Sequence, residues 1–245
     1  MTKFDVKYIQ SLAHKKQREE EGLFVVEGVK MVDELLLNFP DRIVRIFATE
    51  SWINDRKQIV KKYHSIDCIE LDALNKISFL QTPNEVLALV SMPSTEITPS
   101  ISTGVTLVLD QIQDPGNLGT IIRTADWFGV KQIICSNDTS DAFAPKVVQA
   151  TMGSLMRLNI FYLDLGSFLK TLDDIPIYTA ELNGESVYEV EFKQPMILVI
   201  GNESRGVSEN ISRFANKKIT IPKVGNAESL NASVAAGIIL SQATR

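Results

Sequence analysis

Short aliphatic and β-branched runs alternate with stretches of helical spacing along nearly the whole chain. In the first part, residues 23–26, 43–48, 66–71 and 86–90 read as strands. Residues 29–37 (VKMVDELLL, following Gly28), the Lys-rich stretch 52–63 and the short run 74–79 read as helices. Further on, 105–110, 132–135, 158–163, 177–182, 196–201 and 218–221 are strand candidates, and 118–128, 144–152, 167–172, 209–215 and 230–243 carry helical spacing. Strands alternating with helices predict an α/β fold. The later part forms a mostly parallel sheet covered on both faces, and the earlier part a smaller α/β sandwich of its own. Residues 93–104, rich in Pro, Ser and Thr with almost no charge, read as a linker between domains at 1–92 and 105–245.

Composition narrows the class. A chain of 245 residues, 44% of them hydrophobic, can bury a substantial core in one large or two smaller domains. The formal net charge of −5 argues against nonspecific coating of nucleic acid or anionic membrane, but not against a local basic patch. Neither half is basic: residues 1–99 carry 13 basic and 15 acidic side chains, and residues 100–245 carry 12 and 15. The amino-terminal arm is locally positive, with Lys3, Lys7, Lys15, Lys16 and Arg18 facing only Asp5 before Glu19. Such a run is a solvated helix face or a phosphate contact. Cys68 and Cys135 show neither a paired framework nor metal-ligand spacing, so both are expected to be reduced and buried as small apolar residues. No metal site, export leader or membrane span is indicated, and a soluble cytoplasmic protein is expected.

Three loops carry candidate chemistry. In LDQIQDPGNLGTIIRTADWFG, a strand ends at Asp110 and Asn117 can cap a helix whose apolar face is Leu118, Ile121, Ile122, Ala125 and Phe128. Thr120, Arg123 and Trp127 then share another face. Taken alone, Arg123 reads as a surface ion-pair former. In LVIGNESRGVS, a buried run ends at Gly201, and Gly206 allows a tight loop around Asn202, Glu203 and Arg205. Glu203 there either orients a substrate hydroxyl or a nearby Arg, or caps a turn. In ITIPKVGNAESLNASVAAGIILSQ, a strand stopped by Pro222 leads through Gly225 into a helix opened by Ser229, Asn231 and Ser233. Taken alone, Ser229 and Asn231 read first as helix caps, with polar lining of a pocket at the strand ends as the other reading. The glycine spacings of dinucleotide and P-loop sites are missing.

Together the three loops resemble a known family. Asn117-x-Gly119-x-x-x-Arg123-x-Ala125, Gly201-Asn202-Glu203-x-x-Gly206, and Ile221-Pro222-x-x-Gly225 with Ser229-Leu230-Asn231-x-Ser233-x-Ala235 are similar to motifs one, two and three of the SpoU (TrmH-like) RNA 2′-O-ribose methyltransferases of the SPOUT superfamily. The front part resembles that family's small L30e-like substrate-binding domain, with Arg18 ahead of Phe24-Val25-Val26-Glu27-Gly28 and Pro83 before the strand holding Leu87 and Ala88. The resemblance implies a carboxyl-terminal domain tied in a deep trefoil knot, which departs from the rule that chains do not thread loops. It implies S-adenosylmethionine held in the knot by backbone groups of Gly201, Ile221 and Leu230. Arg123 would lie near the acceptor ribose, with Asn117, Glu203, Ser229 and Asn231 completing the pocket.

It also implies a homodimer packed through the knotted domains and an RNA substrate, with the two-domain layout closer to the ribosomal RNA enzymes than to those acting on tRNA. The sulfonium is already a good electrophile, so alignment is the larger task. Arg is normally protonated, which favours Arg123 as a phosphate clamp that also lowers the hydroxyl's pKa, with general-base action as the other role. Two other classes make different predictions. A noncatalytic RNA-binding protein would not bind S-adenosylmethionine, and a nicotinamide-dependent oxidoreductase would bind NAD.

Overall fold

Strands form where aliphatic runs are bounded by turn or capping residues, and the runs 86–90, 105–110 and 196–201 lie fully buried. The protein is described here by a computed structural model covering residues 1–61, 63, 65–93 and 98–245. In chain order the elements are α1 (Lys3–Ser11), α2 (Lys15–Glu21), β1 (Leu23–Glu27), α3 (Val29–Asn38), β2 (Ile43–Ala48), α4 (Glu50–Asp55), α5 (Lys57–Val60), β3 (Ile66–Cys68), α6 (Leu71–Asn75) and β4 (Val86–Ser91). They continue with β5 (Val105–Asp110), α7 (Pro115–Trp127), β6 (Gln132–Ser136), α8 (Pro145–Thr151), β7 (Asn159–Leu163), α9 (Leu165–Lys170), β8 (Ile177–Ser186), β9 (Met196–Gly201), α10 (Glu209–Ser212), β10 (Lys217–Thr220) and α11 (Ala232–Ala243). Two compact units result: Met1–Glu96 with Phe143–Gly153, and Ile97–Ala142 with Ser154–Arg245. Part of the expected linker, residues 94–97, lies outside the described residues.

The first unit is a four-stranded mixed sheet in the order β1-β4-β2-β3, antiparallel except between β2 and β3. Central β4 is buried from Val86 to Val90, as a strand covered on both faces must be. One face packs Val25, Phe47, Leu87 and Leu89 against Ile9 and Leu12 of the amino-terminal helical region and against Leu74 and Ile77. Phe24 points to the opposite face and meets Phe143 edge-on, with ring centroids 5.2 Å apart. Thus the segment around α8, far along the chain, belongs to this unit.

Several expectations here are corrected. The predicted helix 52–63 is two short helices, because Arg56 leaves helical geometry to pair its guanidinium with Asp33 and lie over Trp52. Lys62 lies outside the described residues. The strand predicted at 66–71 stops at Cys68, and the helix predicted at 74–79 instead spans Leu71–Asn75, with Glu70 extended at its cap. Cys68 is exposed, not buried, whereas Cys135 is buried. Arg18 does not face solvent: it is buried and donates to the carbonyls of Leu12 and Ala13, closing the turn between α1 and α2.

The second unit is a six-stranded, wholly parallel sheet in the order β10-β8-β9-β5-β6-β7. β5 and β9, at its centre, are buried along their whole length. On one face Val108, Ile134, Ile197 and Val199 pack against Leu165, Leu169 and Ile211. α7 packs against α11, with Leu118, Ile121, Ile122 and Ala125 of α7 and Ala236, Ile239 and Leu240 of α11 all buried. From β5 the chain moves to β6 and β7, then crosses back to β8 and β9 on the other side. The crevice at the carboxyl ends of β5 and β9 is therefore the switch point where open parallel sheets bind ligands.

Glu27 ends β1 largely buried, accepting from the Ser78 hydroxyl and from the Phe79 N–H at 2.8 Å. Burial raises its pKa against the lowering pull of those two bonds. A carboxyl with a raised folded-state value contributes stability that is complete below the unfolded value of about 4.3 and is lost as pH climbs through the folded value. Wild type is therefore expected to lose stability relative to Glu27→Gln as pH rises above the unfolded value of about 4.3, followed in urea titrations. A difference independent of pH would contradict the assignment.

Candidate active site

The first loop starts where β5 ends and α7 begins. Pro115 occupies the first helical position, where its missing N–H costs nothing, and Asp114 is the cap, accepting the Asn117 N–H at 2.8 Å. The expectation that Asn117 caps this helix is thus corrected. The Asp-Pro pair was the readable signal for a start three residues earlier than predicted. With Asp114 as cap, the Asn117 side chain is released to reach other loops.

It reaches both of them. Asn117 Nδ2 donates to Glu203 Oε1 at 2.5 Å, and Asn117 Oδ1 accepts from Asn231 Nδ2 at 2.8 Å. Asn231 is the cap of α11: its Oδ1 accepts the Ser233 and Val234 N–H groups at 2.9 and 3.4 Å and the Ser233 hydroxyl at 2.6 Å. The amide orientations follow from chemistry. An ionised carboxylate only accepts, so Asn117 must turn its NH2 to Glu203, leaving its oxygen for the NH2 of Asn231 and the oxygen of Asn231 for the helix N–H groups. One polar chain joins the three loops across 86 and 114 residues of sequence.

The second loop is closed by a backbone pair, Asn202 N to Gly206 O at 3.0 Å and Gly206 N to Asn202 O at 2.8 Å. Asn202 Oδ1 also accepts the Ser204 and Arg205 N–H groups. Gly206 has φ +70°. Gly201 is needed for another reason, since a Cβ there would stand 2.2 Å from Gly206 C and Val207 N. In the third loop, Pro222 to Leu230 are exposed and Ile221 is half-buried. Among the described residues no backbone group of 221–230 joins a backbone–backbone hydrogen bond. The main-chain donors and acceptors of this exposed loop therefore have no backbone partner among the described residues.

Arg123 is exposed on α7, on one face with exposed Thr120 and with Trp127, which is 84% exposed. Glu203 is bonded to Asn117 and not, among the described residues, to Arg123. Ser229 is exposed and lies outside the bonded chain. The structure thus joins Asn117, Glu203 and Asn231 directly and leaves Arg123 and Ser229 as solvent-facing groups. Among the described residues no group of three or more His, Cys, Asp or Glu could hold a metal ion, and no helix is long and apolar enough to cross a membrane.

Comparison with known proteins gives the site a context. The family model described as SpoU rRNA Methylase family matches residues 104–241, and that of the MRM3-like substrate binding domain matches residues 3–88. The 23S rRNA (guanosine(2553)-2′-O)-methyltransferase RlmP of Bacillus subtilis is 31% identical over 96% of this chain and 94% of its own. The structure of an AdoMet-bound rRNA methyltransferase from Sinorhizobium meliloti superposes with a TM-score of 0.85 at 29% identity, covering 99% of this chain and 95% of that one. A structure concerned with 2-OH methylation of C/U34 on tRNA covers only 58% of this chain and 94% of its own, at 29% identity and a TM-score of 0.53.

Gly201→Ala is expected to destabilise the protein by about 1–3 kcal/mol, because the methyl group meets backbone that cannot move without opening the 202–206 turn. The measurement is the urea midpoint of the variant against wild type. An unchanged midpoint would show that the turn has room to shift.

Proposed function

We infer that this chain, which belongs to the SpoU rRNA methylase family, transfers the methyl group of S-adenosylmethionine to a ribose 2′-hydroxyl of ribosomal RNA in the cytoplasm. The observation that carries this reading is the Glu203–Asn117–Asn231 chain, which draws three loops together around the switch point of a parallel sheet. Ribosomal RNA is favoured over tRNA because RlmP and the S. meliloti rRNA methyltransferase align with both parts of this chain, while the tRNA-methylation structure covers little more than half of it.

S-adenosylmethionine supplies a methyl group already activated by its sulfonium, so the protein's task is to bind and align. The main-chain groups of Ile221 and Leu230, which have no backbone partner among the described residues, would hold the cofactor together with Gly201 at the end of β9. Arg123 faces solvent on α7. It clamps a phosphate beside the acceptor ribose and, by its positive field, eases loss of the hydroxyl proton. Asn117, Glu203 and Asn231 fix the walls against which the ribose is set, and Ser229 adds an exposed hydroxyl on the loop that leads to Asn231. The 2′-hydroxyl that is modified also distinguishes RNA from DNA. Exposed Trp127 and Val234, on α7 and α11, support a homodimer in which a second copy covers them. The knotted path of the carboxyl-terminal segment belongs to the same reading.

The test is incubation with labelled S-adenosylmethionine and total RNA from a strain lacking the gene, followed by mapping of the modified nucleotide. Label on a 2′-O-methylribose of ribosomal RNA is expected, and label on a base would overturn the assignment. Arg123→Ala should abolish incorporation while S-adenosylmethionine binding, followed by calorimetry, stays within about twofold of wild type. Retained activity would remove Arg123 from the reaction.

A further inference from the structure

The loop that carries Glu203 is held at both ends, by Asp110, the last residue of β5, and by Gln111, which follows it. At its far end, the Asp110 carboxylate Oδ2 accepts both the N–H and the hydroxyl of Ser208, at 2.7 and 2.6 Å. Asp110 is 3% exposed and pairs in register with Gly201 across the sheet. Ser208 stands at the cap position of α10, yet its hydroxyl makes no capping bond and turns to Asp110. At the near end, Asn202 Nδ2 donates to the carbonyl oxygen of Gln111 at 2.9 Å.

Gln111 has φ +60°, a conformation that disfavours residues with a Cβ, and its N–H donates to the Ser136 hydroxyl at 2.9 Å. A buried carboxylate committed to two donors, a capping serine turned away from its helix and a left-handed glutamine converge on one seven-residue loop. Strain and buried charge of this kind persist where the surroundings over-determine a position.

We propose that Asp110 and Gln111 form a two-point clamp on the loop 202–208 that sets the position of Glu203, and through Asn117 and Asn231 the acceptor side of the site. Asp110, Ser208 and Asn202 are positioning residues, since none of them needs to touch substrate or cofactor. This rests on the methyltransferase reading for its kinetic consequence, but the clamp itself has a readout that does not.

The test uses the full-length protein with Ser208→Ala, Ser208→Thr and Asn202→Asp. The alanine removes one donor to Asp110 and the threonine keeps it. The aspartate keeps the acceptor that caps Ser204 and Arg205 but removes the donor to Gln111. Ser208→Ala and Asn202→Asp should each lower kcat about tenfold, the scale of a sub-ångström misplacement, while the S-adenosylmethionine Kd stays within about threefold. Ser208→Thr should restore kcat to within about twofold of wild type.

In NMR spectra the side-chain amide signals of Asn117 and Asn231 should move in the first two variants and return in Ser208→Thr. Unmoved amide signals, or kcat within about twofold of wild type in both damaged variants, would overturn the clamp. If wild type methylates no RNA, the functional reading falls while the amide signals still decide the clamp.

Discussion

Everything at the ligand end of the parallel sheet depends on one acceptor-only group, the carboxylate of Glu203. Because it can only accept, it dictates which way Asn117 points, and Asn117 in turn dictates which way Asn231 points. The chain ends in the N–H groups that open α11, which need an acceptor in any case. Helix capping and construction of the site are therefore one network, and loosening any member leaves a donor or acceptor without its partner.

The sheet makes such a network possible. Parallel strands place all their carboxyl ends on one side, so loops far apart in sequence emerge beside one another, and β5 and β9 are neighbours although the chain visits three other strands between them. Close packing of main chain follows. Gly201 leaves no room for a Cβ against Gly206 and Val207, and Gly184 on β8 stands with its missing Cβ 2.5 Å from the backbone of Ile219 on β10. These contacts make the ligand end rigid, which suits a reaction whose demand on the protein is alignment.

Charge is arranged locally, not in bulk. A net charge of −5 gives no general attraction for RNA. Much of the cationic side-chain population is already engaged: Arg18 holds two carbonyls, Arg45 is paired with Asp67 and Asp5, and Arg157 with Asp126. Arg123, exposed on the helix that carries Asn117, stands out as a cation at the candidate site. Binding of RNA by such a surface relies on shape and on the 2′-hydroxyl more than on a continuous basic stripe.

Most of the secondary structure was legible in the sequence, because buried strands and amphipathic helices write their periods directly: β5, β9 and β2 fall on the predicted residues. The three motif loops were legible too, as was the shared face of Thr120, Arg123 and Trp127. What failed locally were choices decided by partners elsewhere: Arg56 breaking a helix to meet Asp33, and Arg18 turning inward to close a turn. The sequence alone determined which residues are polar, small or aliphatic, and hence where strands, helices and loops lie. Only the tertiary structure decided that Asp114 caps α7, so that Asn117 is free to bond residues 86 and 114 positions away, because hydrogen bonds between loops follow from which strand ends become neighbours and no local period encodes that.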